Sequence, residues 1–145
     1  MNLTYTKLTD DAIEPTYATP GSAAMDLYVR RDHPALYVSD GRPAIFGTGL
    51  AFAVPGGWMM EIYSRSGHGF KHGIRLANSV GIIDSDYRGE IMVCLTADAG
   101  GGVLINPGER IAQFTLRPTY ELNLIELDHL PATTRGAGGF GSTGS

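Results

Sequence analysis

The chain is short of lysine, cysteine and uninterrupted stretches. Of eleven basic residues only Lys7 and Lys71 are lysines, Cys94 is the sole cysteine, and the longest run free of both Gly and Pro is the first 14 of 145 residues. A single cysteine excludes an internal disulfide and a cysteine-built metal site; in its alternating apolar segment Cys94 reads as a packed core thiol. The scarcity of Gly- and Pro-free stretches leaves little room for long helices. No apolar run approaches membrane-spanning length, and the N-terminus MNLTYTKLTD lacks the charged-then-apolar order of a secretory signal, so a cytoplasmic protein without membrane contact is expected. A net charge of −4 argues against a nucleic-acid binder, which normally carries a basic face. Nearly all basic groups are arginines, whose planar fork suits phosphate oxygens, although genomic coding bias explains the same count.

What is present is a series of short alternating segments: Ala44 to Val54, Trp58 to Tyr63, Glu90 to Leu95, Arg110 to Leu116 and Glu121 to Leu127. Turn signals separate them at Pro55-Gly56-Gly57, Gly100 to Gly102 and Asn106-Pro107-Gly108. Many short strands at this spacing predict an all-β barrel or sandwich of the jelly-roll kind. The length fits one domain, and a chain of this size buries roughly 68–70% of its unfolded surface. No linker or repeat precedes residue 130. From Pro131 the composition turns Gly-rich (PATTRGAGGFGSTGS), which gives an expected division into a domain of 1–130 and an arm of 131–145.

Five stretches carry more chemistry than a fold requires. Gly81 to Gly89 (GIIDSDYRG) has the pattern of a β-hairpin tip, with Ile82 and Ile83 favouring extended backbone and Gly89 able to take positive φ at the start of the return strand. Two carboxylates, an aromatic and an arginine within five residues exceed what a turn needs, yet Asp is common in turns for local reasons alone. In SRSGHGFKHGI, Arg65, Ser66 and Gly67 offer a cation, a hydroxyl and an unhindered N–H suited to an anion. His68 and His72 stand four apart, but Gly67, Gly69 and Gly73 argue against the helix that would bring the rings together, so zinc is disfavoured. Asp26, among apolar residues, is either a structural acceptor or a ligand near a cation. Arg110 and Gln113, taken singly, read as polar decoration of a strand. The tail reads as disordered, or as an arm whose Gly-rich backbone orders over phosphate oxygens.

Taken together, these stretches resemble the five ordered motifs of the trimeric dUTPases: PGSAAMDLY, SRSGHGF, NSVGIIDSDYRGEI, GERIAQ and RGAGGFGSTG. The resemblance spans nearly the whole chain and implies a jelly-roll homotrimer that converts dUTP and water to dUMP and pyrophosphate by attack at the α-phosphorus. That reaction keeps uracil out of DNA and supplies dUMP for thymidylate synthesis. It assigns Asp84 to activation of the water and to the sugar 3′-hydroxyl, and Tyr87 to exclusion of a 2′-hydroxyl. Asn78, Gly81, Ile83 and Met92 are implied around the uracil. Arg65, Ser66, Gly67 and Gln113 are implied on the phosphates, Gln113 and Arg135 with catalytic roles, and Phe140, Gly141, Ser142 and Thr143 in the closing arm. Asp26 is implied to hold Mg²⁺ through water, and the active sites to be shared between subunits.

Where the family commonly has Pro before the second-motif Arg, this chain has Ser64, which touches only local loop stiffness. Asp86 is expected in a turn or subunit contact, with Arg88 as its partner. A same-fold dCTP deaminase or bifunctional enzyme is one alternative; it needs a general acid/base beside the base C4, and the aromatic Gly-rich tail favours the hydrolase. A non-catalytic regulatory trimer is another, disfavoured by the retention of Asp84, Tyr87 and Phe140.

Overall fold

The computed structural model describes residues 1–140. Among them are twelve strands and one short helix: β1 Thr4–Lys7, β2 Thr16–Tyr17, β3 Met25–Tyr28, β4 Leu36–Ser39, β5 Ala44–Gly47, β6 Leu50–Ala53, β7 Trp58–Tyr63, α1 Ser66–His72, β8 Ile74–Leu76, β9 Val80–Ile83, β10 Met92–Ala97, β11 Gly102–Ile105 and β12 Arg110–Pro118. A five-stranded sheet runs in the order β2-β3-β12-β7-β9, a three-stranded one in the order β5-β10-β8, and β1-β6 and β11-β4 form ribbons. All pairings are antiparallel. The distorted jelly roll expected from the alternating segments is the fold observed.

Alternation decides which faces meet. Met60 and Ile62 of β7, Val93 and Leu95 of β10, and Ile111 and Phe114 of β12 point inward and are essentially buried. Each such side chain contributes on the order of 1.5–3 kcal/mol through burial. Phe52 and Phe114 pack with ring centroids 5.5 Å apart at 58°, tying β6 to the large sheet.

Three local expectations differ from the structure. Gly81 to Gly89 is not the tip of a closed hairpin: β9 pairs with β7, whereas β10 pairs with β5 and β8, so the segment crosses from one sheet to the other. Ser66–His72 is helical despite its glycines. Gly73 takes φ +64 at the helix C-terminus, its N–H donating to the Gly69 carbonyl (3.0 Å), and Lys71 and His72 occupy the last turn, where cations oppose the helix dipole. The alternating segment Glu121 to Leu127 forms no strand. Tyr120, Leu122, Leu124, Ile125 and Leu127 are 58–90% exposed, because no strand among the described residues pairs with them.

Candidate active site

One row of residues crosses the five-stranded sheet in register: Thr16, Asp26, Gln113, Tyr63 and Val80. Its middle three members share a pocket of about 410 Å³ with Arg65, Ser66, Ala24 and Thr115. Arg110 and Gln113 are three apart, so in a regular strand they would face opposite ways. A β-bulge between Arg110 and Ala112 adds one residue, so that Arg110 faces Tyr28 and Gln113 faces Asp26 on the same side of β3. Ile111 and Ala112 are consequently both buried, and Arg110 is aimed at Asp26.

Asp26 is only 6% exposed, and a buried carboxylate must be paired. Arg65 Nε donates to its Oδ1 at 2.9 Å and Arg110 Nη1 to its Oδ2 at 3.2 Å. Arg65 also reaches the Arg110 carbonyl (3.3 Å), and His68 Nε2 lies 2.9 Å from the same oxygen. The loop leaving β7 is fixed on both sides. Gln113 Nε2 donates to the Ser64 carbonyl (2.9 Å), and the Ser64 hydroxyl accepts the Leu76 N–H (2.9 Å), a tie that takes over the stiffness expected of a proline. Arg65 precedes α1 in extended conformation with no side-chain cap, so the N–H groups of the first turn keep no side-chain acceptor. Gly67 faces open space. The pocket thus sets one guanidinium, an amide and the hydroxyls of Ser22, Tyr63, Ser66 and Thr115 around one carboxylate, which Arg110 also pairs from outside the lining, a set suited to an anionic chain that brings a hard cation.

For such a cation the donor set is limited. Among the described residues no cluster of three His, Cys, Asp or Glu exists, and both oxygens of Asp26 already accept from guanidiniums. The residues therefore fit a cation carried on phosphate oxygens and touched by Asp26 through water, and they do not form a protein-built cage.

A second cleft, of about 250 Å³, opens where β9 and β10 part. Asn78, Gly81, Ile83 and Met92 line it with Ile62, Leu76 and Cys94, so the four residues implied around uracil are brought together. β9 is an edge strand, and on its β8 side β10 pairs only from Leu95, apart from Ala77 N–H donating to the Cys94 carbonyl (2.9 Å). Backbone groups along both walls are left free to meet a planar polar ligand. A zipped hairpin would have used them up.

Beyond β9, the Asp84 carbonyl accepts the Tyr87 N–H (3.2 Å), closing a turn. The Asp84 carboxylate is exposed and accepts no hydrogen bond among the described residues. Tyr87 is 41% exposed, and its hydroxyl donates to the Glu90 carbonyl at 3.0 Å. Gly89 is not at positive φ; its place is steric, since a Cβ there would lie 2.6 Å from Tyr87 Cζ. Arg88 does not pair with Asp86 but donates to the Ser85 and Tyr87 carbonyls (2.7 and 2.8 Å), bracing the turn.

Among the described residues of the tail, none lines either pocket. Arg135 Nε donates to the Gly138 carbonyl (3.0 Å), and Phe140 is fully exposed. Gly141, Ser142 and Thr143 lie outside the described residues. Tyr63 is a pocket residue that no motif announces. Its hydroxyl donates to Glu61, whose carboxylate pushes the phenol pKa above its usual value. Glu61 and Tyr63 stand two apart on the outward face of β7, a signal present in the alternation of that strand.

Comparison with known proteins agrees with this geometry. The dUTPase family model matches residues 10–144. A Nautilia profundicola protein named deoxyuridine 5'-triphosphate nucleotidohydrolase is 44% identical over 144 residues, covering 99% of each chain. An Anaplasma marginale protein of the same name is 44% identical over 131 residues, covering 90% of this chain and 88% of the relative. In fold, the Staphylococcus bacteriophage 80alpha dUTPase with dUpNHpp superposes with a TM-score of 0.85 at 23% identity over 99% of both chains. A mutant dUTPase of S. aureus phage phi11, described for its coordination of a structural Mg(II) ion, gives 0.77 at 19% identity, covering 89% of this chain and 98% of that one. The chain belongs to the dUTPase family.

Proposed function

We infer that this chain is a dUTP diphosphatase, converting dUTP and water to dUMP and pyrophosphate, and so lowers the dUTP available to DNA synthesis while supplying dUMP for thymidylate formation. The observation that carries the reading is the pairing of a polar anion pocket around Asp26, Arg65 and Gln113 with a cleft of free backbone edges around Asn78 and Gly81, in a chain 44% identical to named dUTP hydrolases. A free nucleotide substrate suits a cytoplasmic enzyme.

In the proposed mechanism the uracil edge meets Asn78 and the backbone of Gly81 and Ile83, with Met92 closing the cleft. Tyr87 stands beneath the sugar, where a 2′-hydroxyl would collide with its ring. Asp84 holds and orients the water that attacks the α-phosphorus and accepts its proton; its exposed carboxylate, without a partner among the described residues, leaves it free to do so. Arg65, Ser66, Gly67 and Gln113 hold the phosphate chain, and Asp26 fixes Arg65 and Arg110 in place. Bound with the triphosphate, Mg²⁺ would neutralise part of its charge, and Asp26 would hold it through water. Arg135 and Phe140, with Gly141 to Thr143, form the arm that closes over phosphate and base.

The two pockets share no lining residue. Ile62 and Tyr63, neighbours on β7 with side chains on opposite faces, line one each. This supports a homotrimer in which each site takes its base cleft from one subunit and its phosphate pocket from another. Pyrophosphate release from dUTP with Mg²⁺ tests the function: rapid release with dUTP, and neither release nor ammonia with dCTP, is expected, and an inactive pure protein would overturn the reading.

A further inference from the structure

Sugar selection in the proposed site rests on Tyr87, and a ring 41% exposed on a crossover loop discriminates only if something holds it still. Its hydroxyl is tethered to the Glu90 carbonyl (3.0 Å), and Gly89 leaves the room its ring occupies. Glu90 is itself anchored. Its Oε1 accepts the Gly49 N–H at 2.8 Å, across the corner that joins β5 to β6. The corner is shaped for that carboxylate: a Cβ at Gly47 would stand 2.6 Å from Oε1, and Gly49 has φ +70, where side chains are strained. The chain is then fastened immediately downstream, the Ile91 carbonyl accepting from Thr48 Oγ1 (2.8 Å) and N–H (3.2 Å), and the Ile91 N–H donating to the Leu50 carbonyl (2.8 Å).

We propose that Glu90 is a positioning residue for deoxyribose selection. Its carboxylate latches the exit of the loop to the β5–β6 corner, so that its carbonyl fixes the Tyr87 hydroxyl, and with it the ring that excludes a 2′-hydroxyl. The proposal rests on the dUTP reading of the site. Without the latch, the loop carries Tyr87 away from the sugar, and a ribonucleotide is admitted.

The test is the ratio of kcat/KM for dUTP over UTP, measured on the full-length protein. Glu90→Ala is expected to lower that ratio about tenfold, the scale of one lost charge-assisted hydrogen bond, chiefly by improved use of UTP. Glu90→Gln keeps an oxygen acceptor for Gly49 and is expected to hold the ratio within about twofold of wild type. A purely structural role would lower the melting temperature and slow both nucleotides alike; an unchanged ratio in a folded Glu90→Ala protein overturns the latch. Should that variant not fold, Tyr87→Phe cuts the same tether from its other end, and an unchanged ratio there overturns it equally. A wild-type protein that releases no pyrophosphate from dUTP would instead overturn the reading of the whole site.

Discussion

Asp26 illustrates how a residue's role depends on partners far along the chain. As an acid among apolar residues it stands out in the sequence, but its two partners, Arg65 and Arg110, lie 39 and 84 residues away, and Arg110 reaches it only through a bulge. Residue type is readable in a sequence; this convergence is not. Asp84 is the opposite case, exposed and free of partners among the described residues, so its replacement separates chemistry from structure. Asp84→Asn is expected to keep the fold and the affinity for a non-hydrolysable dUTP analogue while lowering turnover roughly 10²- to 10⁴-fold, the range for a lost general base, as read by steady-state kinetics beside equilibrium binding. Tyr63 gives a pH signature. Its pKa is raised from 10.0 by the bond to Glu61, so the stabilisation from that bond is fully present below about pH 10 and is lost as pH rises through the higher folded value. The melting-temperature gap between wild type and Tyr63→Phe should therefore be constant near neutrality and shrink in alkali.

At the level of elements, the short strands were recognisable wherever alternation was clean and turn residues flanked it, as in β7, β10 and β12. The misreadings share one cause, tertiary context overriding local preference. The Gly81 to Gly89 stretch has the residues of a hairpin, but β9 and β10 find better partners in β7 and β5, and the opening between them is the candidate base cleft. The helix α1 tolerates Gly67 and Gly69 because Gly73 caps it in the left-handed region. Gly73→Ala meets no atom closer than 3.5 Å, so the cost is conformational, about 1–2 kcal/mol. Thermal denaturation should register it, and because α1 follows Arg65 directly, the KM for dUTP should rise as well. The tail is expected to serve catalysis without holding the fold: deletion of 135–145 should leave the melting temperature within a few degrees of wild type and depress turnover strongly.

For the molecule as a whole, the proposed homotrimer would account for several features of the single chain. A row of large apolar residues from Tyr120 to Leu127 lies in water, Arg135 and Phe140 touch neither pocket, and the base cleft and phosphate pocket share no lining residue. Within a closed assembly of identical subunits each of these surfaces can meet a copy of the chain. The proposal of such a partner comes from the family resemblance, since alternation in Glu121 to Leu127 predicts a strand without saying whose sheet receives it. Subunit mixing tests the shared site most directly. Asp84→Asn damages only the base half and Arg65→Ala only the phosphate half, where Asp26 keeps Arg110 as its partner. Co-refolded in equal amounts, two inactive variants should regain about a quarter of wild-type dUTP hydrolysis, the share of sites that draw both intact halves from different chains in a random closed trimer. Activity no greater than the sum of the separate variants would contradict a site built across subunits.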